Sequence, residues 1–224
     1  MEKINELNKI VELDKKYKIR KWKAREKREF LNTIKNGESL DTLKDVLVYN
    51  CIEGEAAFNP DEFKYVMSQI RQYSIGNAVD LEFYCKCCKN KFLKNIEINQ
   101  LIKPIKSNKK EIKSKNYNII IGEIKNPNYY KSITEDVNYI NYIKEVDFYL
   151  RIASINDNDC MSLDEIIDLF DNMDIDEFDN IFNQWEDIKF KIDDKYNIEC
   201  PSCSDSVVYS FDEIPGFFPP SWFR

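Results

Sequence analysis

Three observations predict a mostly helical α+β domain in which short antiparallel hairpins are joined by a single four-cysteine site. Two Cys-x-x-Cys pairs, Cys85-Lys86-Cys87-Cys88 and Cys200-Pro201-Ser202-Cys203, each fall between two short β-prone runs. Several stretches carry apolar residues at helical spacing. More than a hundred residues separate the two pairs, so a shared site draws distant parts of the chain together.

The flanks justify the hairpins. Leu81-Glu82-Phe83-Tyr84 enters the first pair and Phe92-Leu93-Lys94-Asn95-Ile96 leaves it; Tyr196-Asn197-Ile198 and Val207-Val208-Tyr209 do the same for the second. Two residues between cysteines let both sulfurs face one tetrahedral ion, and two such knuckles close a zinc site with no position left for water. Cys85, Cys88, Cys200 and Cys203 are therefore the expected ligands of one structural zinc ion, a zinc-ribbon-like arrangement. Cys87 is either a spare thiol or an alternative ligand. Independent redox motifs or disulfides are the competing readings, but neither pair opens a helix in a βαβ setting and no signal peptide points to an oxidising compartment. Cys51 and Cys160 lie in apolar helical contexts, where a free cysteine behaves as a small buried hydrophobe.

Along the chain, Tyr17 to Trp22 alternates like a strand, and Ala24 to Ile34 has helical periodicity ending near Gly37. A second helix fits Leu40 to Cys51. Pro60 opens a third, with Phe63, Val66, Met67, Ile70 and Tyr73 on one face. Lys103 to Lys115 is expected to be a solvated lysine-rich loop. Tyr117 to Ile124 is a strand ended by Asn126-Pro127, and Glu135 to Ile155 is a largely buried helix. Ser162-Leu163-Asp164-Glu165 has the form of a capping box, and Asp176 to Phe190 makes a last helix with Phe178, Ile181, Phe182, Trp185 and Ile188 inward. Asp157-Asn158-Asp159 lacks the glycine and terminal glutamate of a calcium loop and is expected to be a turn.

Composition excludes much chemistry. The 224 residues include no histidine, which removes histidine nucleophilic pairs, acid–base catalysis and metal ligation together. The five glycines are too scattered to write a phosphate-binding loop or a dinucleotide fingerprint. Glu165, Asp168, Asp171, Asp176 and Asp179 sit at the spacing of a solvated helix face rather than a catalytic constellation. No apolar run spans a bilayer and the N-terminus lacks a signal-peptide layout, so a soluble, intracellular protein is expected. The organisation expected is one interwoven domain over 1–224: an N-terminal extension (1–16), a strand, helices and first zinc hairpin (17–100), a loop, strand and helical insertion (101–195), and a second zinc hairpin with an apolar tail (196–224).

Taken in order, these motifs resemble the baseplate hub protein family of T-even-type contractile-tailed bacteriophages, from about Tyr17 to Phe218. Cys51 ends a helix, and Asp61-Glu62-Phe63-Lys64-Tyr65 leads into Ile70-Arg71-Gln72-Tyr73-Ser74-Ile75-Gly76, similar to the family's arginine, serine-aliphatic-glycine element. The first knuckle follows, then the proline of Asn126-Pro127, a helix closing at Ile155-Asn156-Asp157, the Ser162 to Glu165 segment, the second knuckle and Gly216-Phe217-Phe218. The N-terminus, Cys87 and the tail beyond Phe218 depart from the pattern. The resemblance implies a non-enzymatic subunit or assembly factor of the tail hub, partnered by other phage tail or baseplate hub proteins, in the host cytoplasm during assembly or in the virion.

The tail supplies candidate contact residues. Phe217 and Phe218 either pack on the protein's own core or join Trp222 and Phe223, beyond Pro219-Pro220, in a partner's groove. The alternative function is a zinc-ribbon nucleic-acid-binding or transcription-regulating protein that sets Lys15 to Arg28 and Lys103 to Lys115 on phosphates. Against it stand the formal charge of -7 and the lack of aromatics among Lys103 to Lys115.

Overall fold

The helix that organises the first core starts at Asn59, whose side chain accepts the backbone N–H of Glu62 while the Glu62 carboxylate accepts the N–H of Asn59, a complete capping box with proline at the first turn. In the computed structural model, which describes residues 9–13, 15–36, 47–134 and 143–210, this helix runs Pro60–Ser74. It buries Val66, Met67 and Ile70. Labelled in chain order, the elements are β1 (Lys9–Glu12), β2 (Lys16–Ile19), α1 (Ala24–Asn36), a single 3₁₀ turn (Tyr49–Cys51), α2 (Pro60–Ser74), β3 (Ala78–Tyr84), β4 (Lys91–Glu97) and α3 (Ile98–Leu101). Then follow β5 (Lys103–Ile105), β6 (Glu111–Lys113), β7 (Asn118–Ile121), α4 (Pro127–Thr134), α5 (Ile143–Arg151) and β8 (Ile152–Ile155). The order closes with α6 (Leu163–Asp171), α7 (Ile175–Ile188), β9 (Lys191–Asp193), β10 (Lys195–Glu199) and β11 (Ser206–Ser210).

The first core gathers Val11, Tyr17, Ile19, Phe30, Val48 and Cys51 from the N-terminal part, Val66 and Ile70 of α2, and Leu81, Phe83 and Ile96 of the β3–β4 hairpin. Ile198 and Tyr209 join it from the β10–β11 hairpin, more than a hundred positions away. Arg71, itself buried, donates to the carbonyls of Gly76 and Ala78 and so fixes the turn from α2 into β3. At that turn Gly76 holds φ +126°, a conformation side-chain-bearing residues resist. Ser74 accepts the N–H of Trp22. The arginine, serine and glycine of this segment are thus a structural joint.

The chain leaves the first core through β5 and returns through β9, which pair antiparallel from Lys103↔Asp193 to Ile105↔Lys191. Between them a second core forms around the β6-β7-β8 sheet and the aromatic stack of α5, α6 and α7. Phe148, fully buried, meets Phe170, Phe182 and Trp185 with ring centroids 5.4, 6.0 and 5.7 Å away. A small third cluster, with Ala57, Ile124, Tyr130, Val146 and Leu150, meets the second core through Leu163, which packs against both. Across the cores, Arg151 of α5 donates to Glu62 of α2 at 2.6 Å and to Asp147 at 2.9 Å, with all three side chains buried.

The chain is α+β but not mostly helical: among the described residues, eleven strands in five antiparallel sheets stand beside seven helices. Many strands are three or four residues long, too short to show alternation. β1 lies inside the supposed N-terminal extension; of its apolar pair only Val11 is buried while Ile10 is exposed, so the segment carries no period. The lysine-rich loop holds β5 and β6, and its Ile112 is completely buried. Asn126-Pro127 does not end a strand but starts α4, the Asn126 side chain accepting the N–H of Tyr129. The helix expected up to Ile155 stops at Arg151, and Ile152–Ile155 pairs with β7 instead; the earlier part of that segment, 135–142, lies outside the described residues, as does 40–46 of the second expected helix. Cys160 is exposed in the turn after β8 rather than buried. In that turn, expected at Asp157-Asn158-Asp159, Asn156 and Asp157 are left-handed. The capping box at Ser162 and the helix through Trp185 are as expected.

Candidate metal centre

The two cysteine pairs occupy equivalent loops. β3 and β4 pair up to Tyr84↔Lys91, leaving residues 85–90 as the loop; β10 and β11 pair up to Glu199↔Ser206, leaving residues 200–205. Their hydrogen bonds correspond one for one. Cys85 N–H donates to the carbonyl of Asn90 at 2.9 Å and Lys89 N–H to the carbonyl of Cys85 at 3.0 Å; Cys200 N–H donates to Asp205 and Ser204 N–H to Cys200, each at 2.9 Å. In both loops the residue after the last cysteine takes a left-handed conformation, φ +62° at Lys89 and +57° at Ser204. That reversal lets the chain turn back into its second strand while both sulfurs point the same way.

The four sulfurs of Cys85, Cys88, Cys200 and Cys203 lie within 4.8 Å of one another. The short approaches cross between knuckles: Cys85 to Cys203 is 3.7 Å and Cys88 to Cys200 is 3.6 Å. Four sulfurs each about 2.3 Å from a central ion in tetrahedral array sit roughly 3.8 Å apart, whereas a disulfide needs about 2.05 Å. The spacing fits a metal ion and not a pair of disulfides. Cys85 and Cys200 are buried against the first core, while Cys88 and Cys203 face outward. Cys87 is exposed and outside the cluster, whereas Cys88 lies within it.

The hairpins are also fastened directly. Asn90 donates to the Ser202 hydroxyl at 2.8 Å, joining one loop to the other, and the Tyr209 hydroxyl donates to the carbonyl of Tyr84. Phe83 meets Tyr209 edge-on at 5.1 Å. Burial works against ionisation of Cys200, but the backbone N–H groups of Ser202 and Cys203 and the thiols of Cys88 and Cys85 hold it down to about 7. At Cys203 the N–H of Asp205 is outweighed by burial and by the neighbouring sulfurs, which push it up to about 12. Sulfurs this close resist further ionisation until a cation sits among them. With four protein sulfurs around an ion no coordination position stays open, so such a centre stabilises structure rather than activating water.

The other thiols are separate. Cys51 lies in the first core and burial pushes it up to about 11; Cys160 is raised by its contact with the Asp159 carboxylate. Phe217, Phe218, Trp222 and Phe223 lie outside the described residues. Of the acidic helix positions, Glu165 is the partner in the Ser162 capping box, and Asp168, Asp171, Asp176 and Asp179 are exposed. The Asn90–Ser202 bridge and the Glu62–Arg151–Asp147 network went unread in the sequence. The first had no signal, since Asn90 follows the first pair whereas Ser202 lies inside the second; the second had only the i,i+4 spacing of Asp147 and Arg151, because Glu62 lies 89 positions from Arg151.

None of the described helices is long and apolar enough to cross a membrane. The sequence profile of the family described as T4 bacteriophage base plate protein matches residues 1–219. No curated protein and no solved structure matches the chain. With a match covering nearly its entire length, the chain belongs to the T4 bacteriophage base plate protein family.

Proposed function

We propose that this protein is a non-enzymatic component of the tail baseplate hub, either a subunit of the hub or a factor in its assembly, and that it acts through contacts with other phage tail or baseplate proteins. Its four-cysteine centre holds one structural zinc ion through Cys85, Cys88, Cys200 and Cys203. The observation that carries the metal assignment is the cluster of four sulfurs at tetrahedral spacing on two matching knuckles. An all-sulfur donor set suits zinc among common cellular metals, and it supplies folding energy without an open site for chemistry. Family membership supports the baseplate role, and the resemblance of the motif succession supports the hub.

In this reading the metal ties residues 78–97 to residues 195–210 and makes the chain one interwoven domain with 106–190 as an insertion. Phe217, Phe218, Trp222 and Phe223 form an apolar terminal contact for a partner. The test has two arms. Metal analysis of natively purified protein should give one zinc per chain, and a phage lacking the gene should fail to form hubs until the wild-type gene is supplied. Protein free of metal removes the zinc assignment; normal tails without the gene remove the hub role. Deleting residues 221–224 should weaken hub assembly while leaving the melting temperature in place, and normal tails from that deletion remove the terminal contact.

A further inference from the structure

A cleft of about 340 Å³ opens between the two cores, walled by the Lys106 to Lys110 loop, the β1–β2 turn at Glu12 and Leu13, and the end of α7 with Lys189 and Phe190. The buried pair Glu62–Arg151 lies at its base. Its charge is opposite to that of the chain. Lys106, Lys109, Lys110, Lys189 and Arg151 line it against Glu12 and Glu62; Lys189 is paired with Glu186 and Arg151 with Glu62 and Asp147, so the positive surplus rests on Lys106, Lys109 and Lys110, whereas the whole molecule carries -7. Glu62 is already engaged by Arg151, and Lys106 donates to a neutral acceptor, the carbonyl of Glu12, which leaves its charge uncompensated. No ion pair among the described residues uses Lys109 or Lys110, and both are exposed. Trp185, 3% exposed, also lines the cleft, and its indole N–H has no acceptor among the described residues. Leu13, Ile188 and Phe190, partly buried, give the same walls apolar surface.

We propose that this cleft is a docking site for a short acidic segment of a partner protein, its carboxylates set on Lys106, Lys109 and Lys110 and its apolar side chains on Leu13, Ile188 and Phe190. Mixed apolar and cationic walls suit a peptide that alternates acidic and apolar residues. A long polyphosphate is disfavoured by the net charge of -7 that it would meet outside the cleft, which a short segment seated on the lysines avoids. This site shares no residue with the cysteine centre, so it stands or falls apart from the zinc assignment.

The experiment uses the full chain and a fluorescein-labelled short peptide of alternating Glu and Leu, followed by anisotropy. Binding should weaken as salt is raised, and the exposed double substitution K109A/K110A should weaken it about tenfold with no change in melting temperature. The same peptide with Gln in place of Glu should bind far less, and a short oligothymidylate should bind less tightly than the Glu-Leu peptide. Absence of binding, equal binding of the Gln peptide, or unchanged binding by K109A/K110A overturns the proposal. Tighter binding of the oligothymidylate overturns it in favour of a nucleic-acid site.

Discussion

The two cores solve the same problem in opposite ways. The second is continuous in sequence: Ile112 through Ile188 supplies its sheet, its three helices and a stack of six aromatic rings. The first is discontinuous. Its last strands arrive after an insertion of residues 106–190, and closing so long a loop carries an entropic cost that its own short hairpins offset poorly. The four-cysteine centre sits at that closure and nowhere else among the described residues. A staple is placed where contacts are non-local, and aromatic packing suffices where they are local.

The sharpest way to break this comparison is to remove the proposed zinc ion. Structural zinc of this kind contributes about 10–16 kcal/mol in small domains, at least as much as the about 5–15 kcal/mol by which a domain is stable. Chelation, or Cys203→Ser, should therefore abolish hydrogen-exchange protection in β3, β4, β10 and β11 and lower it in the second core. Cys87→Ser, at an exposed thiol outside the cluster, should leave protection and zinc content as they are. Full protection of Ile198 after chelation would mean that the staple is dispensable. Unchanged protection from Phe148 to Trp185 would make the insertion a domain of its own.

What couples the cores is tested next. Arg151→Ala leaves Glu62 and Asp147 buried without their shared cation, which typically costs about 3–5 kcal/mol. Because Glu62 belongs to α2 and Arg151 to α5, the loss should also split a single thermal transition into two. Calorimetry reads this directly. One cooperative transition at lower temperature would show that the β5–β9 pair alone transmits the coupling.

The division between legible and illegible features follows the same line. Local signals survived translation into structure: the knuckle flanks, the capping box at Ser162, the Pro60 start of α2 and the apolar face of α7 each depend on residues within one turn or one hairpin. The four-cysteine cluster was legible because metal chemistry imposes a fixed spacing on cysteine. Elements defined by partners were not. Ile152–Ile155 continues a helical pattern in sequence and becomes a strand because β7 is there to pair with it, and Lys103-Pro104-Ile105 is a strand only because β9 returns beside it.

A smaller effect concerns another buried charge of the first core. Although burial works against the charge of Glu26, the guanidinium groups of Arg20 and Arg25 and the backbone N–H of Lys23 hold its carboxyl down to about 2. A carboxylate depressed in the folded state adds stability above its unfolded value, near 4.5, and that stability is lost as pH falls toward 2. Glu26→Gln should cost about 2 kcal/mol at neutral pH, with the gap to wild type shrinking as pH falls through 4.5 toward 2. Denaturant titrations at several pH values measure it; a gap independent of pH would locate the cost in packing rather than in charge.

The smallest effect compares one motif in two settings. Asn59 and Ser162 each cap a helix with a reciprocal glutamate three positions on. Around Ser162 the groups are exposed, so water replaces the lost acceptor, and Ser162→Ala should cost about 1 kcal/mol. At Asn59 the side chain is buried and its partner Glu62 also holds Arg151, so Asn59→Ala strands the N–H of Glu62 and loosens the carboxylate that joins the cores. Its cost should reach about 2–3 kcal/mol by the desolvation of an unpaired donor. Combining each substitution with Arg151→Ala separates the two contributions: Ser162→Ala should add independently, while Asn59→Ala should cost less in the absence of Arg151 than in its presence. Simple additivity at both sites would mean that the cap and the inter-core network work independently.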